Sequence, residues 1–396
     1  LKNITITYYI CSMKKLLLIL LSFPMIFNSC KKEEEPANQN SSGQGWTKTF
    51  DNGQGRFVQE TFDGGYIIMY HYEDHSSGYC NAYLLKTDVN GMQEWIQSSD
   101  SIYEHNEWGQ CAYQTSDAGY ISVTSNYNGL NLIKTDPNGT QDWLQVLGNE
   151  QYRSKSIQQT SDEGYMVSAV MQNDFGYDSI CLIKTNENGT QQWIQTFNFE
   201  TSSENMHHIQ EIVGGGYVLC GTTYHSNLKK IRLIKTDEQG NIIWNKTYSG
   251  PNNLTAAGKS VQQTTDGGYI IIGSCKLSSG DDGDIYLIKT DNLGSQQWSK
   301  TFGGSFDDVG RCVKQTADGG YIITGYIESM QTGDVFLIKT DPQGDMLWER
   351  TFDSGDYDEG WSVDQTTDGG YIITGFKGSV NSDNVWLIKT DSQGNY

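Results

Sequence analysis

From residue 45 onward the chain alternates short apolar runs with polar turns on a regular beat. Runs such as Tyr-Ile-Ile-Thr-Gly (321–325) and Val-Phe-Leu-Ile-Lys (335–339) are apolar at successive positions. That suits strands covered on both faces rather than strands with one wet side. After residue 30 no stretch repeats its apolar positions at helical spacing over several turns, so strands and turns are expected throughout.

The beat is an internal repeat. Lys-Thr recurs at Lys86, Lys134, Lys184, Lys235, Lys289, Lys339 and Lys389, and tryptophan at Trp46, Trp95, Trp143, Trp193, Trp244, Trp298 and Trp348. A period near 50 residues is that of propeller blades or solenoid coils. The sixth copy reads as four strands, GRCVKQT, GYIITGY, DVFLIKTD and DMLWERTF.

Two connections per copy are short and uniform: Thr-x-Asp-Gly-Gly-Tyr (316–321), and Asp-x-x-Gly (341–344), where glycine supplies the positive φ that closes a hairpin. The other two vary in length and sequence. Because strands alternate direction, the variable connections share one rim, where binding residues are usually carried.

The last copy lacks its fourth strand, while residues 43–50 read as a fourth strand with no copy before them. Pairing Trp46–Phe50 beside Trp386–Thr390 would close the sheet set into a ring with no free edge. The expected fold is all-β: a seven-bladed β-propeller of four-stranded blades over residues 45–396, the last blade closed by the N-terminal strand.

The front of the chain is different. Lys14 and Lys15 precede an apolar run from Leu16 to Phe27, too short for a bilayer and suited to a secretory signal. Residues 1–12 read as upstream read-through, 13–29 as a lipoprotein signal peptide ending at Ser29-Cys30, and 30–44 as a flexible tether. Cys30 would carry the lipid. Membrane contact is expected through that anchor only, at the outer membrane and facing outward.

The net charge of −21, from 48 acidic and 27 basic side chains, repels phosphate backbones, so nucleic acid is not an expected partner. Cys80, Cys111, Cys181, Cys220, Cys275 and Cys312 form no Cys-x-x-Cys and read as single buried thiols.

Two resemblances attach to these motifs. The spacing Asp-x-x-Gly-x-x-x-Trp, as in Asp237, Gly240 and Trp244, resembles the repeat of quinoprotein-type propellers. The fuller pattern, from Gln-Thr-x-Asp-Gly-Gly-Tyr-Ile-Ile through Leu-Ile-Lys-Thr-Asp, is similar to uncharacterised repeat lipoproteins of Gram-negative surfaces. Both resemblances imply a propeller, and the second implies display on the cell surface. Neither implies an activity, since quinoprotein cofactor residues have no counterpart here.

No hydrolase elbow, zinc-protease helix, phosphate loop or dinucleotide fingerprint is present. The recurring tryptophans and Gly-Tyr pairs read as packing between blades, and the Lys-x-Asp pairs as solvated charges or turn caps. Candidate ligand contacts on the variable rim are Tyr72, Tyr103, Trp108, Tyr152, Tyr177, Tyr224, Tyr357 and Trp361, aromatics among acids and amides that suit a glycan or a protein surface. His71, His75 and His105 are candidate zinc ligands, and the acids at 281–284 and 307–308 candidate calcium ligands or local caps. No cofactor is otherwise expected. The functional expectation is a monomeric surface binding module for glycan or protein. The alternatives are a polysaccharide hydrolase or lyase using His71, His105 or His208, and a structural subunit of an envelope assembly.

Overall fold

Local turn chemistry and the repeat together determine the architecture. The computed structural model describes residues 45–50, 52–74, 79–98, 108–126, 128–149, 151–172, 178–199, 203–225, 228–277, 283–329, 332–378 and 383–396. The readings placed on residues 1–44, including Cys30, and on His75, Tyr103, His105 and Tyr177 lie outside the described residues. Seven antiparallel sheets of four strands each account for the described strands. The helical content among them is one turn, Pro251–Asn253.

Six sheets are consecutive in the chain. The seventh takes its outer strand from the amino end: Trp46 lies opposite Lys389 and Phe50 opposite Val385, antiparallel throughout. The inner strands of blades 1 to 7 are Gln54–Glu60, Trp108–Gln114, Tyr152–Gln159, Ser203–Glu211, Ala256–Gln263, Asp308–Gln315 and Tyr357–Gln365. Each touches the next, and the seventh touches the first, so they line a central channel.

Burial follows radial position. The two middle strands of blade 2, Tyr120–Asn126 and Gly129–Thr135, are buried at every residue, as their unbroken apolar runs require. An outer strand such as Gln191–Phe197 alternates between exposed and half-buried. The core therefore lies between blades. Ile372, Val385 and Leu387 of blade 7 pack on Val58, Tyr66, Ile68 and Leu85 of blade 1, for example.

Two recurring devices hold neighbouring blades together, and a third works within each blade. The outer-strand tryptophan of each blade meets the Gly-Tyr tyrosine of the next, from Trp46 on Tyr66 at 5.8 Å to Trp348 on Tyr371 at 6.0 Å between ring centroids. The turn glycine Gly344 has a φ of +80° and lies against Trp298, so it lacks a side chain for two reasons. The last residue of each inner strand then accepts a backbone N–H from the preceding blade. Phe62 donates to Gln114 at 2.7 Å, and Thr367 of blade 7 donates to Glu60 of blade 1 at 2.8 Å.

The third device departs from the sequence reading. The lysines of Lys-x-Asp are not solvated: in six blades they are between 1 and 6% exposed. Lys339 donates to Asp318 of the Thr-x-Asp-Gly-Gly turn at 3.0 Å and to the Thr340 carbonyl at 2.8 Å. Its ammonium occupies the space beside Gly320, where a Cβ would lie 2.5 Å from Nζ. The aspartates of Lys-x-Asp do cap their turns, as Asp341 does for the amides of Gln343 and Asp345. Blade 4 has Gly214 where the others have the turn aspartate, so Lys235 has no turn carboxylate to pair with. Gly320→Ala should displace Lys339 and lower stability by about 1–3 kcal/mol, read by denaturant melting.

The cysteines match their reading: all six are free and buried.

Candidate functional site: the central channel

Each inner strand carries one irregularity at the same place. Its register to the second strand slips by one residue between Gly55 and Phe57, Gly109 and Cys111, Ser154 and Ser156, Met206 and His208, Gly258 and Ser260, Gly310 and Cys312, and Gly360 and Ser362. A bulge leaves the skipped residue outside the ladder and redirects its side chain. The skipped residues are Arg56, Gln110, Lys155, His207, Lys259, Arg311 and Trp361, one per blade, and all seven line one cavity of about 350 Å³ in the channel. The position before the bulge is usually glycine because blades approach closely there: a Cβ on Gly310 would lie 2.5 Å from Ile272.

The ring is cationic in an acidic protein, and little neutralises it. Arg311 donates to Glu359 at 3.0 Å. The Trp361 ring lies between guanidinium groups from the blades on either side, Arg56 at 3.6 Å and Arg311 at 4.1 Å from its centroid. Arg56 also donates to Nδ1 of buried His71 at 3.2 Å and to Gln54 at 2.6 Å. Arg311 Nε, Trp361 Nε1, His207 Nε2 and His208 Nδ1 are buried without a hydrogen-bond partner in the protein.

Electrostatics carry the mark of this crowding. Lys259 is pushed down to about 7 by burial, then by Arg311 and Lys155. Lys155 falls to about 8 through burial and Arg153. His207 is held well below the ordinary histidine value by burial, Lys259 and Lys155, and His208 falls to about 3 through burial and Lys314. Burial and Arg311 also press on the Arg56 guanidinium, which nevertheless keeps its proton in any protein.

The residues singled out from the sequence fall into three groups. Trp361 lines the channel, and the Tyr357 hydroxyl donates to Glu359 at 3.0 Å, so Tyr357, Glu359, Arg311, Trp361, Arg56 and His71 form one chain of contacts across blades 6, 7 and 1. Tyr72 and Tyr152 are half-buried on blades 1 and 3, away from this chain, and Tyr152 packs into the core of blades 2 and 3. Tyr224 is 39% exposed with the Lys229 ammonium 5.6 Å from its ring. Trp108 heads the inner strand of blade 2, but its side chain lies outside the described residues.

His71 accepts from the Arg56 guanidinium, while His75 and His105, the other two candidate zinc ligands, lie outside the described residues. Asp307 and Asp308 act as caps, accepting from the Gly283 amide at 2.5 Å and the Gly304 amide at 2.6 Å. The four basic residues of the ring, Arg56, Lys155, Lys259 and Arg311, were missed by sequence reasoning. The signal that finds them is positional: each lies five residues before the residue that opens its blade's uniform turn, Thr61, Thr160, Thr264 and Thr316.

Fold and channel together define the class: a seven-bladed β-propeller with a cationic central channel. No protein-family model and no curated protein matches the chain. Solved structures do. The chain is similar in fold to the polysaccharide lyase Uly1 (TM-score 0.55, 9% identity, covering 85% of this chain and 90% of that one). It is likewise similar to YCF48 bound to D1 peptide (TM-score 0.50, 11% identity, 90% and 96%) and to YCF48 from Cyanidioschyzon merolae (TM-score 0.50, 9% identity, 87% and 98%). At such identities the likeness is one of fold.

Proposed function

We propose that the protein is a binding module that takes a glycan or protein ligand at the variable rim, around the channel mouth, and is held at the outer membrane surface by a lipid on Cys30. One observation carries this reading. In a repeat, whatever builds the scaffold recurs in every copy, as Trp, Gly-Tyr and Lys-Thr do; the bulge position instead reads Arg, Gln, Lys, His, Lys, Arg, Trp around the ring. Five residue types at one scaffold position are not a packing requirement. The bulge lies no further than mid-strand from the variable connections, so ligand would reach it from that rim. Among the similar folds, one is named as a polysaccharide lyase and one as bound to a peptide, and either ligand class fits a propeller face.

The test is retention on glycan and peptide arrays by the full chain and by Trp361→Ala and Tyr224→Ala variants. Retention is expected on one array class, falling at least about tenfold in Trp361→Ala, as for loss of a central aromatic anchor. Equal retention by all three proteins, or none on either array, would remove the reading. Lipid attachment has its own check: labelled palmitate should enter the wild type and not Cys30→Ala, which should leave the membrane fraction.

A second reading, a hydrolase or lyase acting on polysaccharide, is favoured by one observation. Lys259, pushed down to about 7 beside His207, titrates where a general base is most effective. Release of new chain ends from an array-positive glycan would favour it over a module that binds without turnover.

A further inference from the structure

The binding reading leaves open what the channel itself holds, and the ring narrows the answer. Four formal cations, Arg56, Lys155, Lys259 and Arg311, stand on blades 1, 3, 5 and 6 at one level of a cavity of about 350 Å³. Like charges held together out of water cost stability. The six ion pairs at the uniform rim show that this chain supplies a carboxylate for a buried lysine when the scaffold calls for one. In the channel, among the described residues, it does so for Arg311 alone of the four, through Glu359.

The remaining polar atoms at this level are chiefly donors. Arg311 Nε and Trp361 Nε1 are buried and unpartnered. The Trp361 ring already stacks with two guanidinium groups, Arg56 and Arg311, so what it has left to offer a small ligand at this level is its N–H. Ser156 Oγ, one residue along the strand, is also buried without a partner.

We propose that the ring is a binding site for one tetrahedral oxyanion, phosphate or sulfate, either free or as an ester at the end of a sugar ligand held on the variable rim. The ester form rests on the binding reading above; the free ion does not. Cations and N–H donors converge from several blades, which matches four oxygens pointing in different directions. A carboxylate presents two oxygens in one plane and needs a donor pair from one side only. Four formal cations with one carboxylate among them leave a charge of +3, which a bound anion offsets in part. A metal cation is repelled from this ring. A long polyanion such as a nucleic acid would have to lie along a protein of net charge −21. A single charged group entering the channel avoids that repulsion.

Binding should take up protons. The charges facing Lys259 are Arg311, Lys155, Lys229 and Glu359, with His207 beside it. The three cations named first outweigh the one carboxylate, and a bound dianion reverses the balance, restoring the proton that burial and repulsion make easy to lose.

The experiment uses the full chain at low ionic strength, titrated calorimetrically with inorganic phosphate and sulfate, and with glucose 6-phosphate and glucose 6-sulfate, in two buffers of different ionisation heat. Acetate is the control. Expected are one site per chain, binding of the tetrahedral anions, at least about tenfold weaker binding of acetate, and a buffer-dependent heat that reports proton uptake. Lys259→Gln and Lys155→Gln should each weaken the tetrahedral ions by about tenfold or more and yet melt higher than wild type in anion-free buffer, because each removes a charge the fold does not neutralise. A merely structural lysine would melt lower when replaced. Sugar esters binding more tightly than the free ions assign the ester source, and the reverse order assigns the free ion. No heat with any tetrahedral anion, or undiminished binding in both variants, overturns the proposal. If an array ligand binds the Lys155→Gln/Lys259→Gln double variant as well as wild type, the rim reading stands and the ester form of this inference falls. If the ions bind and no array ligand does, the inference stands without that reading.

Discussion

Deleting Trp46–Phe50 is expected to open the last sheet and promote association between copies, with a loss on the order of 5 kcal/mol or more. The loss has two parts. Trp46 leaves its edge contact with Tyr66 of blade 1, and Trp46 and Phe50 leave the cluster that joins blade 7 to blade 1. The backbone from Val385 to Lys389 also loses its only outer partner and becomes a free sheet edge that can pair with another copy. Light scattering and chemical denaturation would measure both parts. A variant whose light scattering and unfolding midpoint both match the wild type's would show that the strand is dispensable. Supplying residues 43–53 as a free peptide should partly restore the wild-type midpoint.

The second large effect concerns the six lysine–aspartate pairs. Lys339→Ala should cost about 2–4 kcal/mol, since it empties a buried site and strips Asp318 of its partner. Asp318→Asn should cost less, about 1–2 kcal/mol, because Asp318 is 61% exposed and its charge is already screened by water. The pairs also set an acid limit. Burial pushes the Asp63 and Asp266 carboxyls up, but hydrogen bonds from Thr61 and Lys86, and from Lys289 and Thr264, outweigh it and hold both down at about 2. Asp117, Asp162, Asp318 and Asp368 are shifted the same way for the same reasons. A carboxyl whose folded pKa lies below its unfolded value, near 3.9, contributes stability that is present above the unfolded value and is lost as pH falls through the folded one. Stability should therefore decline between roughly pH 4 and pH 2. The decline should be shallower in a variant with Asp318 and Asp368 both replaced by Asn.

These two effects come from features that repetition made legible. Seven copies of Trp, Gly-Tyr and Asp-x-x-Gly identify the blade, its hairpins and its packing surfaces, and the incomplete last copy points to the strand that completes it. What repetition could not show was the partner of each lysine. Lys339 lies two residues from Asp341 in sequence, yet pairs with Asp318, since Asp341 sits past the strand end and turns back onto the Gln343 and Asp345 amides, while the turn after the inner strand brings Asp318 to the ammonium.

The channel was half legible. Trp361, Tyr357, His71 and His208 stood out by residue type. Arg56, Lys155, Lys259 and Arg311 did not, because a bulge shifts the alternation by one residue and redirects the skipped side chain without leaving a mark in composition. The informative signal was a position that changes from copy to copy among positions that do not.

The most direct measurement of the channel's role is an anomalous difference map from crystals of the protein soaked in sodium selenate at low salt and recorded at the selenium edge. The account predicts a peak inside the channel, within hydrogen-bond distance of Arg311 and Lys259. Selenate bound elsewhere on the molecule with the channel empty of it would contradict the account.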